Sequence, residues 1–433
     1  MSPKYKEANA PEWFQTGFPH VWLPYTQMET SPVPAPVVGT DGTKIRLADG
    51  RELIDGIASW WTACHGYNHP HIRAAVAKQL ETMPHVMFGG LVHEAGLRLA
   101  ERLTDLLPSS LERVFFSESG SVSVEIALKM AIQFWINKGR PGRNRIISFL
   151  GGYHGDTFGA MSICDPEEGM HSLFKGALIE QHILPLPSSE GELIEFERFL
   201  ECNAGDCAAI IVEPLVQGAG GMRMHDSLVL QRIRKACDDW DLLLILDEIF
   251  TGFARTGTMF AHQESGVIPD IVTLSKALTG GTMALAATVA SKNVFDAFLS
   301  NDSDGALMHG PTYMANPLAC AAANASMDLF ESEPRLQQVS LIEANLREYL
   351  DGAKDIPGVA DIRIKGAIGV VQLNGPMHLD WMRTEFLSRG VWIRPFRDIV
   401  YLTPALTMER EEISYLVRSM IEVIEEWSVM TQK

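Results

Sequence analysis

From about residue 95 the apolar positions alternate between two spacings. AGLRLAERLTDLLP repeats them at helical intervals, RVFFS is a short continuous run, and SVSVEIALKMAIQFWINKG returns to the helical interval between serines and a glycine, residues that favour helix ends. Short apolar runs follow at RIISFL, AAIIVEP, LLLILDEI, DIVTLS and AATVAS. Strands that are apolar on both faces and separated by helices predict an α/β fold, a mostly parallel sheet covered on both sides, here over residues 60–330. NPLACAAANASMDLF then opens a long helix. Residues 331–433 alternate helices with the strands VADIRI, GAIGVVQL, VWIRPF and IVYLTP, the pattern of a smaller α+β domain, and close on an amphipathic helix, EREEISYLVRSMIEVIEEW. Residues 1–59 read as an N-terminal arm and part of that smaller domain, with TKIRLADGRELIDGI as a β-hairpin.

Composition narrows the partners. A chain of 433 residues is long enough for two packed regions, and 46% hydrophobic with 21% charged residues suits a folded core. The formal charge of −18, from 36 basic and 54 acidic residues, speaks against a phosphate-backbone binder, so no nucleic-acid partner is expected. The first twenty residues hold no apolar run of signal-peptide length, and no run is long enough to span a membrane, so the expectation is a cytoplasmic protein without a membrane partner. Cys64, Cys164, Cys202, Cys207, Cys237 and Cys320 form no CxxC pair, which suits a reducing compartment better than disulfides or structural zinc. His65, His69 and His71 lack a helical zinc spacing with a nearby acid, so no metal is expected.

The chemistry starts at Asp247. It ends the run LLLILD, and ligands of open α/β sheets bind at the carboxyl ends of strands. An acid there also reads as a turn cap or as the magnesium site of a P-loop ATPase, but the latter needs GxxxxGK[ST] and the chain has no Gly-Lys pair. Lys276 ends the next run, before glycines, 276 − 247 = 29 residues on, about one strand-helix-strand unit. Neighbouring strands would then aim an acid and an amine into one crevice. That pair fits pyridoxal 5′-phosphate: the amine condenses with the aldehyde and the carboxylate keeps the pyridine nitrogen protonated. Gly120 and Ser121 open a helix whose free amides suit the phosphate, and Gly310, Pro311 and Thr312 precede another helix, though both segments also read as plain caps. Tyr153, after RIISFL, suits packing against a flat ring, or simply the core.

The set SGSVSVEIALKMA, GGYHGDTFGAMS, VEPLVQGAGGM, LILDEIFTGFARTG, SKALTGG and HGPTYMANPLACAAA resembles the class III, or ω-, aminotransferases of pyridoxal-phosphate fold type I, over about residues 45–433. HVWLPYTQM around Tyr25, SWWTACHGYNHP around Trp60 and Trp61, HVMFGG, and VWIRPF around Arg394 with Tyr401 after it narrow the resemblance to members that serve biotin synthesis. These aminate 8-amino-7-oxononanoate with S-adenosylmethionine in a ping-pong cycle. The resemblance implies that Lys276 carries the cofactor and shuttles the proton, Asp247 pairs with the pyridine nitrogen, and Gly120 with Ser121 holds the phosphate. It implies that Tyr153 stacks on the cofactor and that Pro311 and Thr312 complete the phosphate site across a homodimer with shared active sites. Arg394 would bind a substrate carboxylate, with Trp60, Trp61, Gly310, Tyr153 and Tyr401 around the substrate and Tyr25 both there and among the catalytic groups. Where ornithine- and aminobutyrate-type relatives tend to read QGE, this chain reads Gln217, Gly218, Ala219, which argues against those two activities. A general ω-amino acid:pyruvate aminotransferase is the alternative.

Overall fold

The computed structural model describes residues 10–166, 172–174 and 176–431, and the chain folds as two compact units. The larger takes Trp61–Ala63 and Pro70–Ser340; the smaller takes its described residues from Met1–Trp60, Cys64–His69 and Leu341–Lys433.

The larger unit is built on a seven-stranded sheet. In spatial order its strands are Leu111–Ser117, Ala286–Ser291, Ile271–Leu274, Leu243–Asp247, Cys207–Val212, Arg145–Phe149 and His182–Leu184. Only Ala286–Ser291 runs against its neighbours, so the sheet is mostly parallel, as the apolar runs imply. The strands Cys207–Val212, Leu243–Asp247 and Ile271–Leu274 are buried at every position, which explains why they read as unbroken apolar runs. The helix Gly120–Asn137 buries Val124, Ile126, Ala127, Leu128, Met130, Ala131, Phe134 and Trp135 against them, at roughly 1.5–3 kcal/mol for each large side chain. Trp135 keeps its indole N–H satisfied by donating to the Ala208 carbonyl at 2.8 Å.

Two local expectations need correction. The link between the Asp247 and Lys276 strands is no crossover helix: it consists of turns and the four-residue helix His262–Ser265, because IFTGFARTGTMF is broken by glycines and has no helical apolar stripe. VWIRPF yields only the two-residue strand Val391–Trp392, since Pro395 has no N–H to continue a ladder, and Arg394 therefore lies beyond the strand.

The smaller unit holds the expected hairpin, Lys44–Leu47 against Glu52–Asp55, in a four-stranded sheet with Val37–Asp41 and Val391–Trp392. A second sheet joins Val359–Lys365, Ile368–Leu373 and Ile399–Leu402. The helix Arg410–Thr431 turns Leu416, Met420, Val423 and Trp427 inward and its acidic residues outward.

Candidate active site

In the larger unit, Asp247 is the last residue of its strand and is 3% exposed. Its Oδ2 lies 2.8 Å from His154 Nδ1, while Oδ1 accepts from the Ile249 amide at 3.1 Å and from Thr273 Oγ1 at 3.2 Å. Burial alone would lower the pKa of His154, but the bonded Asp247 carboxylate outweighs it, with Glu213 adding, and the net direction is upward. Glu213 follows the strand Cys207–Val212 and accepts the amides of Tyr153 at 3.0 Å and Gly218 at 2.9 Å. Burial pushes its pKa to about 7, His154 pulling down and Asp247 up. The loops after three neighbouring strands thus carry two buried carboxyls around one imidazole. The adjacent Glu248, fully buried, holds the His262 imidazole at 2.9 Å and the loop around it instead. It accepts from Thr251 Oγ1 and from the amides of Ala261 and His262, and so pins the loop that follows.

Asp247 is in register with Thr273 on the neighbouring parallel strand, so Lys276 emerges just past that strand's end. It starts a short 3₁₀ turn with φ of +46°. Its Nζ lies 4.2 Å from the Trp61 ring centroid and 5.8 Å from that of Phe250, and those two rings are 4.4 Å apart. Among the described residues the amine has no hydrogen-bond or ion-pair partner. Burial lowers its pKa to about 8, against the pull of Asp247, Glu213 and Asp156. An amine in that range is available as a free base near neutral pH.

The helix Gly120–Asn137 begins beside this set. Ser119 caps it by accepting from the Val122 amide, and Ser121 Oγ accepts from the Asp156 amide at 3.0 Å. Gly155, at φ of +130°, leaves no room for a side chain: a Cβ there would fall on Ser121. Tyr153 donates its hydroxyl to Asp156 Oδ1 at 2.9 Å. By contrast, Gly310 and Thr312 are exposed and Pro311 half-buried, and nothing stands within 4 Å of a Cβ built at Gly310. These three lie on open loop surface rather than in the buried set.

In the smaller unit, the Arg394 guanidinium sits 4.4 Å over the Trp60 ring, and Tyr25 meets Trp60 edge-on at 6.3 Å. Tyr401 is buried and packs edge-on against Phe396 at 5.5 Å. Burial and the nearby Arg383 lower the Arg394 pKa, while Tyr401 and Tyr25 oppose them. Among the described residues no carboxylate pairs with Arg394. A stacked, half-buried guanidinium presents a planar set of donors whose geometry matches a carboxylate.

The structure therefore groups Gly120, Ser121, Tyr153, Asp247, Lys276 and Trp61 in one unit and Tyr25, Trp60, Arg394 and Tyr401 in the other. Sequence reasoning did not single out His154, Glu213, Asp156 or Phe250. His154 and Glu213 each follow an apolar run, a partial signal, but only the sheet order places them beside Asp247. His71 bonds to Asp328 at 2.8 Å, while the rings of His65 and His69 lie 6.3 Å apart.

The Aminotransferase class-III family model matches residues 25–424. The chain belongs to the class-III aminotransferases. The adenosylmethionine-8-amino-7-oxononanoate aminotransferase of Corynebacterium glutamicum is 46% identical over 389 residues, covering 89% of this chain and 92% of the relative. The crystal structure of the enzyme of that name from Methanocaldococcus jannaschii superposes with a TM-score of 0.90 at 31% identity, covering 94% of this chain and 97% of that one. An amine transaminase from an uncultivated Pseudomonas species, solved in its PLP-bound form, gives a TM-score of 0.89 at 31% identity over 97% and 99% of the chains. The α/β aminotransferase fold is thus common to this chain and its relatives. None of the described helices is long and apolar enough to cross a membrane.

The residues present fit the cofactor that this family implies. Among the described residues the amine of Lys276 makes no hydrogen bond or ion pair, and it is drawn toward its free-base form. The buried Asp247 is held by an imidazole, and a long helix presents its N-terminus beside a glycine that no other residue could replace without displacing Ser121.

Proposed function

We propose that the chain is a pyridoxal 5′-phosphate-dependent aminotransferase that transfers the amino group of S-adenosylmethionine to 8-amino-7-oxononanoate, yielding 7,8-diaminononanoate for biotin synthesis. The observation that carries the chemistry is the available Lys276 amine beside the His154–Asp247 pair. The name of the Corynebacterium glutamicum relative supports the choice of substrates.

When bound, the cofactor supplies a ring that accepts electrons from the substrate's α-carbon. Lys276 would be the residue that holds it, and its free amine would take and return the substrate's α-proton as general base and acid. Its pKa of about 8 makes either direction accessible near neutral pH. Asp247, held in place by His154 at 2.8 Å, would face the pyridine nitrogen. Trp61 and Phe250 shield the amine from water. Gly120 and Ser121 give the phosphate a helix N-terminus, and Tyr153 gives the ring a flat neighbour. Arg394 binds a substrate carboxylate, and Trp60 and Tyr25 offer aromatic walls to two unlike substrates in turn.

The open loop of Gly310, Pro311 and Thr312 supports a homodimer in which a second copy brings these residues to a shared site. A donor comparison read by the cofactor spectrum tests the substrate reading. S-adenosylmethionine should convert the enzyme to its amine form in one turnover, where alanine does not. The reverse order of preference would point to an ω-amino acid:pyruvate enzyme.

A further inference from the structure

Four successive non-glycine residues in the smaller unit and its continuation, Ala58, Ser59, Trp60 and Trp61, have positive φ values of 45°, 50°, 59° and 75°. This is a left-handed turn made without glycine, an arrangement that L-residues resist at every step. Strain of this kind persists where the surroundings over-determine it, and it collects at functional sites. Both conditions hold here.

One buried side chain supplies a restraint. Asp55, 2% exposed, ends the strand Glu52–Asp55; its Oδ1 accepts from the Ile57 amide at 2.8 Å and its Oδ2 from the Ser59 amide at 2.8 Å. Tyr67 adds its hydroxyl to Oδ2 at 2.6 Å. The carboxylate thereby holds the two amides that flank Ala58, where the left-handed path begins. The turn's product is the separate aiming of two consecutive tryptophans. Trp60 lies under the Arg394 guanidinium, while Trp61, the first residue of the larger unit, lies against the Lys276 amine.

We infer that Asp55 is the positioning residue for this tryptophan pair, and that the left-handed turn it holds sets the enzyme's affinity for its substrates. The inference rests on the transaminase reading for its substrate effect but not for its structural one. Asp55 touches no substrate; it acts through Trp60 and Trp61.

The experiment compares the holoenzyme with Asp55→Asn, Ala58→Gly and the double variant. Asn keeps the size but offers one acceptor oxygen instead of two. The expected result for Asp55→Asn is a KM about tenfold higher for both substrates, the loss matching the release of one or two strained residues, with kcat changed by no more than about twofold. The near-UV circular dichroism of the tryptophans should change with and without cofactor. Ala58→Gly alone should behave as the parent. In the double variant it should restore most of the KM and the dichroism, because glycine occupies the left-handed region without cost. If Asp55→Asn fails to fold, Tyr67→Phe removes one donor and should give the same signature at about threefold. Unchanged dichroism and KM would overturn the inference, as would a defect that Ala58→Gly does not relieve. If the turnover substrates are wrong, the dichroism and its rescue still report on the turn.

Discussion

The depressed pKa of Lys276 has a thermodynamic consequence that does not depend on catalysis. A lysine that titrates near 10.5 when unfolded and near 8 when folded releases its proton on folding between those values. Because the folded pKa is the lower one, the sign is unfavourable. Below pH 8 both states carry the proton and the folded protein bears the whole cost of the buried charge. As pH rises from 8 to about 10.5 the unfolded state still binds a proton that the folded state has lost, so stability climbs. A displacement of this size corresponds to about 3 kcal/mol, an upper bound because Lys276 is only partly buried by area. Lys276→Met, of similar length and uncharged, removes the cost. In cofactor-free protein at pH 7 the variant should be the more stable, by several degrees in the thermal unfolding midpoint, and the gap should close as pH approaches 10. Scanning calorimetry of both proteins at pH 6, 7, 8, 9 and 10 measures this. A wild type as stable as the variant at pH 7, or a gap that does not shrink with pH, would show that burial does not dominate at Lys276.

Other perturbations probe the remaining groups. Glu213 has a folded pKa raised from 4.5 to about 7, so its contribution to stability falls as pH climbs between those values, whereas that of His154, raised from 6.5, begins to fall only above 6.5. Glu213→Gln should flatten the fall in unfolding free energy between pH 5 and pH 8, measured by urea denaturation. His154→Leu leaves the Asp247 carboxylate buried without its imidazole and should cost about 3–5 kcal/mol in the same assay, most strongly at acid pH where the imidazole is charged. Gly155→Ala, which drives a methyl into Ser121, should weaken pyridoxal phosphate binding at least ~10-fold in equilibrium dialysis, while Gly205→Ala, with open space around it and no positive φ, should not. Arg394→Lys exchanges a planar fork for a point charge over Trp60 and should raise KM about tenfold or more, with a smaller effect on kcat, in steady-state assays.

The layers of the larger unit and the pair Asp247 and Lys276 were legible because buried parallel strands leave continuous apolar runs, and an ionisable residue at the end of such a run stands out. Their relation was legible only in part. The spacing suggested a helical crossover, whereas the chain makes the connection with turns and four helical residues, and the parallel register brings the two strands together all the same. His154 and Glu213 were hidden for another reason. Each lies a short step beyond a strand, but only the sheet order places their loops beside Asp247, and sheet order is not written in any local pattern. The turn at Ala58–Trp61 was the least legible of all. Positive φ is normally announced by glycine or asparagine, and Ala-Ser-Trp-Trp announces nothing; it is imposed by a carboxylate three residues upstream. Tyr25, Trp60, Arg394 and Tyr401 came from a resemblance rather than from periodicity, and the stack of Arg394 on Trp60 supplies the physical reason for their company.

The proposed function joins one lysine to one amino donor, and a single measurement reaches both. Holoenzyme is reduced with borohydride, with and without prior S-adenosylmethionine, and its peptides are mapped by mass. The expected result is a pyridoxyl group on Lys276 in the untreated enzyme and its loss after S-adenosylmethionine, because the donor has taken the cofactor off the lysine. A label on another lysine, or a Lys276 label that S-adenosylmethionine leaves in place, would overturn that pairing of residue and donor.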